Sequence, residues 1–247
     1  MSLTLAFVGD VMLGRGIERK GADPFALSAP TLRRADLAFA NLECPLTDRP
    51  FSVEKVVRLR ANPQRVGWLK GAGIDVVSVA NNHTSDCGLD GFLDTVRILN
   101  DAGIGAAGAG ELVVRKVGKV RVGFLAYTDF PLYACPAVSI ASVASVKRDV
   151  VRAQSEADIV VTSFHWGVEG TSQVMPRQRE LARAALEAGS TLVVGSGPHM
   201  VQELSTKKGT VAYSLGDFVF DRKGDRVILW VTINGKHVSA KLVRLKT

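Results

Sequence analysis

The sequence predicts an α/β layered domain whose C-terminal portion turns antiparallel, and three observations predict it. Short, continuous apolar runs recur along the chain with turn or glycine signals after them, as expected of strands buried on both faces. Segments of helical spacing alternate with these runs. The last three runs then follow one another with no helix between them.

Taken in chain order, runs rich in Val, Ile, Leu and Phe predict strands at 3–8, 37–40 and 74–80. A helix is predicted over 89–99, where Leu89, Phe92, Leu93, Val96 and Leu99 share one face and Gly103 closes the segment. A strand follows at 120–127. Residues 129–145 read as a loop or excursion, because Pro131 and Pro136 interrupt them and their apolar residues keep no period. After a strand at 159–164, a helix starts with Pro176 in its first turn and runs through Leu181 and Leu186 to Gly189. Strands at 192–194, 211–215, 227–233 and 238–245 complete the chain. There is no internal repeat or low-complexity tract, and neither half holds all the polar motifs described below, so one domain over 1–247 is expected.

Composition excludes several classes. An apolar fraction of 47% in 247 residues suits a chain that buries a full core, not a disordered one. No apolar run reaches the roughly 20 residues of a membrane helix. Three cysteines (Cys44, Cys87, Cys135) with no C-x-x-C pair describe neither a disulfide framework nor a cysteine zinc site. The chain as it stands is expected to be soluble and cytoplasmic. Its 31 Lys+Arg against 24 Asp+Glu give a net charge of +7, which suits either solubility or an anionic partner. No dense basic block or aromatic-laced basic stripe marks a dedicated nucleic-acid site.

Five predicted strand ends carry polar residues. They read Gly9-Asp10-Val11-Met12-Leu13-Gly14-Arg15, Asn41-Leu42-Glu43, Asn81-Asn82-His83-Thr84-Ser85-Asp86, His165-Trp166-Gly167-Val168-Glu169 and Gly195-Ser196-Gly197-Pro198-His199. In an open α/β sheet the carboxyl ends of strands border the ligand crevice, so these side chains can converge. Asp, Glu, Asn and His are the donors a hard or borderline divalent cation prefers. Taken singly, each has a plain structural role open to it: Asp10 can cap a turn, and Asn81-Asn82 can be a turn pair. Five such coincidences at five strand ends favour a shared metal or phosphate site. The Gly103-Ile104-Gly105-Ala106-Ala107-Gly108 match to a dinucleotide fingerprint follows a helix instead of a strand, and reads as a glycine-rich turn. Trp166 reads as core. Cys44 and Cys87 read as buried thiols, with recruitment as soft ligands the minor option.

With those stretches assembled, and with Ser214-Leu215-Gly216-Asp217-Phe218-Val219-Phe220-Asp221 added, nearly the whole sequence resembles the CapA (PGA_cap) family of bacterial capsule synthesis proteins. That family is linked to poly-γ-glutamate and is similar to the calcineurin-like metallophosphoesterases. The resemblance implies a four-layer αββα sandwich with two mixed β-sheets and a metal crevice at one edge. It implies one or two divalent ions (Mn2+, Zn2+ or Fe2+) held by Asp10, Glu43, Asn82, His165 and His199. His83 matches the catalytic or phosphate-contacting histidine, and Arg15 and Glu169 match the family's own pattern as an anion contact and a supporting carboxylate. Two positions depart from the metallophosphoesterase pattern. Met12 stands two residues after Asp10 where a histidine is usual, and Gly197 stands where the first histidine of a Gly-His-x-His or His-Pro-His segment is expected. Asp217 stands where relatives often have asparagine. The resemblance implies an anionic substrate or polymer, polyglutamate or a phosphoester, acted on by a metal-dependent hydrolase or held by a non-catalytic accessory of polymer synthesis. Such proteins are often anchored or exported, so the expected location becomes membrane-associated or exported if an N-terminal anchor has been removed.

Overall fold

The computed structural model of the protein describes residues 2–222 and 224–245. Its elements run β1 (Ser2–Val11), α1 (Arg15–Lys20), α2 (Ala29–Leu32), β2 (Leu37–Leu42), α3 (Val66–Ala72), β3 (Val76–Ser78), α4 (Gly88–Asp101), β4 (Gly105–Ala107), β5 (Val113–Val117) and β6 (Val120–Thr128). They continue with α5 (Val143–Glu156), β7 (Ile159–His165), α6 (Pro176–Glu187), β8 (Leu192–Ser196), β9 (Leu204–Ser205), β10 (Thr210–Ala212), β11 (Asp217–Val219), β12 (Val227–Asn234) and β13 (His237–Arg244).

The strands form two mixed sheets. The first has the order β13-β12-β1-β2-β3-β4, with β11 pairing the end of β1; the second has the order β5-β6-β7-β8-β10-β9. In the first sheet β1 to β4 are parallel, and β12 and β13 are antiparallel additions. The sheets meet face to face through Phe7, Phe39 and Phe124. Phe39 of the first sheet stacks on Phe124 of the second with centroids 5.8 Å apart and planes 8° from parallel. Helix α4 buries Phe92 and Leu99 into this core. On the outer face of the second sheet, Val146, Val150 and Ala153 of α5 and Leu181, Ala182 and Ala185 of α6 bury a separate cluster with Phe164, Trp166 and Val193. The result is the αββα sandwich of two mixed sheets that the resemblance implied.

Several local expectations are corrected. Residues 74–80 pair only over Val76–Ser78, because Ser78 Oγ takes the Ala80 N–H and Thr84 Oγ1 takes the Asn81 N–H, turning the chain out of the ladder. The run at 211–215 pairs over Thr210–Ala212 and lies parallel to β8 in the second sheet, so only β12 and β13 form the antiparallel end. The glycine-rich segment after α4 contains a strand, β4, parallel to β3. The 129–145 excursion holds a 3-10 turn at Pro131–Tyr133 and the first residues of α5, whose start is fixed by reciprocal Ser142 and Ser145 caps.

Candidate metal centre

Parallel pairing carries the polar stretches to one end of the sandwich. In register, Asp10 lies opposite Asn41 on one side and Asp217 on the other, while His165 lies opposite Ser196. Glu43 follows β2 directly, Asn81-Asn82-His83 follow β3, and His199 follows β8. The first sheet thus supplies carboxylates, amides and the His83 ring, and the second supplies the His165 and His199 imidazoles.

Asp10 is fully buried. Its Oδ1 accepts from Asn41 Nδ2 at 2.8 Å, and its Oδ2 lies 3.3 Å from both the Gly197 N–H nitrogen and His199 Nδ1. His165 approaches Asp10 Oδ1 at 3.9 Å through Nδ1 and Glu43 Oε1 at 4.0 Å through Nε2. His199 Nε2 lies 3.7 Å from Glu43 Oε1, and its Nδ1 lies 2.8 Å from Asp217 Oδ1. Asp10, His199 and Asp217 each offer a ligand atom within 4.8 Å of the others. Behind them Asn81 Nδ2 donates to the Leu42 carbonyl at 2.8 Å, and Asn81 Oδ1 accepts from the His83 N–H at 3.1 Å. His83 Nδ1 sits 2.6 Å from Asp86 Oδ2, a contact that fixes the ring and leaves Nε2 as its other edge.

Among the described residues, four buried side-chain polar atoms lack a hydrogen-bond partner, and three of them are Glu43 Oε1, Glu43 Oε2 and Asn82 Oδ1. Leaving such oxygens dry is costly unless something outside the polypeptide satisfies them. Burial and the nearby Asp10 carboxylate push the Glu43 carboxyl well above its ordinary value. Burial lowers His165 to about 3, so its imidazole is neutral, the state in which it can act as a ligand. For His199 burial acts downward, but hydrogen bonds to Asp10 and Asp217 outweigh it and raise the ring to about 11. Burial acts upward on Asp10, yet His199 outweighs it and holds the carboxyl below its usual range.

The backbone is unusual at the same place. Arg15 (φ 53°) and His199 (φ 59°) are the two non-glycine residues with positive φ among those described, a conformation held at a cost of about 1–3 kcal/mol and common at functional sites. Gly197, at φ 109°, donates to Asp10 from a position where a Cβ would sit 2.6 Å from the Trp166 carbonyl oxygen. A histidine therefore cannot take that place on this backbone. Met12 is fully buried and its sulfur accepts the Gly14 N–H at 3.2 Å.

Of the residues named from sequence, Asp10, Glu43, His165 and His199 come together, and Asn82 buries its oxygen beside His83. Glu169 is exposed at the rim, 3.9 Å from His199 Nε2. Arg15 is not drawn into the cluster: its guanidinium pairs with Asp221 at 3.2 Å. Sequence reasoning assigned no role to Asn41, Asn81 or Arg222, the last of which pairs with Asp217. Asn41 and Asn81 lay inside quoted motifs, whereas nothing in the sequence tied Arg222 to the site. Burial pushes the Cys44 thiol up to about 12 and the Cys87 thiol up to about 11, which disfavours the thiolate at both positions.

A family model described as bacterial capsule synthesis protein PGA_cap matches residues 4–222. The capsule biosynthesis protein CapA of Bacillus anthracis is 35% identical over 89% of this chain and 60% of its own length. The PGA biosynthesis protein CapA of Bacillus subtilis is 34% identical over 89% of this chain and 64% of its own. The chain therefore spans about three fifths of the length of these curated relatives. Among solved structures, TT1561 of Thermus thermophilus superposes with a TM-score of 0.54 at 10% identity, covering 98% of this chain and 99% of that one. GAP50, described as the anchor in the inner membrane complex of Plasmodium, superposes with a TM-score of 0.55 at 10% identity over 98% of this chain and 84% of its own. Both share the fold alone. Among the described residues, no helix is long and apolar enough to cross a membrane.

Proposed function

Because the chain belongs to the PGA_cap family of bacterial capsule synthesis proteins, we propose that it is a metal-dependent hydrolase of capsule polymer metabolism, cleaving a phosphoester or a γ-glutamyl amide. The observation that carries this reading is the buried Glu43 carboxyl, both of whose oxygens are unpartnered and whose Oε1 lies 4.0 Å from His165 Nε2 and 3.7 Å from His199 Nε2. A divalent ion such as Mn2+, Zn2+ or Fe2+ fits this oxygen and nitrogen donor set. Asp10, Glu43, Asn82, His165 and His199 would hold one or two ions, with Asp217 beside them. When bound, the ion supplies Lewis-acid polarisation and a nucleophile at neutral pH.

The chain's own residues do the rest. Asn41 fixes Asp10 through its amide, and Ser196 Oγ, 3.2 Å from His165 Nδ1, fixes that ring. Asp86 holds His83 so that Nε2 can give a proton to a leaving group. The test is metal analysis of the purified protein, followed by turnover on phosphoester and γ-glutamyl substrates. We expect a bound divalent ion and metal-stimulated hydrolysis that Glu43→Gln abolishes. A protein that binds no metal and shows no such turnover would overturn the reading.

A second reading, a non-catalytic accessory that holds a polyanion, is favoured by the crowded Gly197 and by the inward-turned Met12 sulfur, which leave two positions without a nitrogen ligand. His83→Ala separates the two readings: it abolishes hydrolysis under the first and leaves polymer binding intact under the second.

A further inference from the structure

The fourth buried atom without a partner is Arg226 Nε. Arg226 is half-buried just before β12. Nη2 donates to the Pro24 carbonyl at 2.9 Å, and the guanidinium carbon lies 4.9 Å from the centre of the Phe218 ring. Among the described residues it has no carboxylate partner, and burial draws its pKa below the usual arginine value. A cation desolvated without a counter-charge is destabilising unless a ligand supplies the anion.

Arg226 lines a cleft of about 710 Å³ together with Lys20, Arg222, Phe218, Phe220 and Asp217. Lys20 likewise enters no ion pair among the described residues. Two of the cleft's carboxylates are already paired with cations, Asp225 with Arg244 and Asp217 with His199 and Arg222, whereas Asp23 accepts the Phe25 N–H and keeps its charge at the cleft's edge. The cleft adjoins the metal cluster through Asp217. Phe220 stands between the two, with its ring 5.3 Å from His199 on one side and the Arg222 guanidinium 4.6 Å from its centroid on the other.

We infer that this cleft is an oxyanion subsite, in which Arg226 and Lys20 take a carboxylate or phosphate carried on an apolar stem that lies along Phe220. The subsite deepens the hydrolase reading by naming where the charged part of the substrate rests, but oxyanion binding there needs neither metal nor turnover. An arginine and a lysine lining one cleft suit a terminal oxyanion.

The experiment is titration of metal-stripped protein with short γ-linked glutamate oligomers in one arm and inorganic phosphate in the other, at equal ionic strength. Each is followed by calorimetry and by the shift in melting temperature. Saturable binding of either probe is expected, and the arm that binds identifies the oxyanion. Arg226→Gln should weaken it about tenfold, with Lys20→Gln weakening it less. Arg152→Gln, on the far helix α5, removes the same charge and should leave binding unchanged. If Arg226→Gln loses its fold, Lys20→Gln on the exposed side chain still decides. Absence of binding in both arms, or an equal loss in Arg152→Gln, would overturn the inference. Failure of metal binding or hydrolysis alone, with anion binding intact, would overturn only the hydrolase reading.

Discussion

At the scale of single residues, His199 plays two parts that compete. In the ion-free protein it is protonated, raised to about 11 by Asp10 and Asp217 despite its burial, and Glu43 is raised toward its neutral form. A divalent ion must displace these protons. Its apparent affinity should therefore rise with pH across the neutral range, by about tenfold per unit for each proton released. Calorimetry in buffers of different ionisation heat counts the protons directly, and a count of zero would contradict the assignment of His199 as a ligand. Without metal the sign reverses. The His199 ion pairs stabilise the fold fully below the ordinary histidine value of 6.5, and that contribution is lost as pH climbs through about 11. His165, lowered to about 3 by burial, gives up no proton to the ion in this range.

At the scale of elements, the long connection after β2 is held by Thr47 and Arg49 on Asp94 and, nearest the site, by the Asp86 carboxylate. Asp86, buried just before α4, accepts from Lys55 Nζ at 2.7 Å and from the Leu59 N–H at 2.7 Å while it orients His83. Asp86→Asn leaves the Lys55 ammonium, 15% exposed, without its counter-charge and should cost about 3 kcal/mol. It should also speed tryptic cleavage between Lys55 and Arg60, and an unchanged cleavage rate would show that something else pins the connection. The legibility of elements followed the same physics. Strands β1, β2, β7 and β8 were visible as unbroken apolar runs because both faces are covered. Helix α5 was not, since its buried face is only Val146, Val150 and Ala153 and its start rests on two serines capping each other. Strand β4 was hidden because Gly105-Ala106-Ala107 has no strand preference of its own; pairing with β3 makes it a strand, and Gly105 is needed where a Cβ would meet Val113 at 2.5 Å.

At the scale of the whole molecule, the candidate ligands divide between the sheets. Asp10, Glu43 and Asn82 come from the first, His165 and His199 from the second, and the sandwich brings the two imidazoles to 4.0 and 3.7 Å from Glu43 Oε1. This is why strand ends and the family resemblance could bring those five residues and Asp217 forward but not the parts played by Asn41 and Arg222, which depend on register and on the return of β11 alongside β1. It also ties metal to global stability. The Phe39 and Phe124 stack joins the sheets at the core, and Phe124→Ala should cost about 3–5 kcal/mol in urea unfolding. An ion held at the crevice by both sheets should stabilise the native state by about 2.7 kcal/mol at a free concentration one hundred times its Kd. The core stack and the crevice share no residue, so the two effects should add: metal should raise the urea midpoint by the same free energy in the wild type and in Phe124→Ala, and chelation should remove it from both. A metal increment absent from the wild type would show that no ion bridges the sheets, and one present in the wild type but lost in Phe124→Ala would show that the core stack sets the geometry of the site.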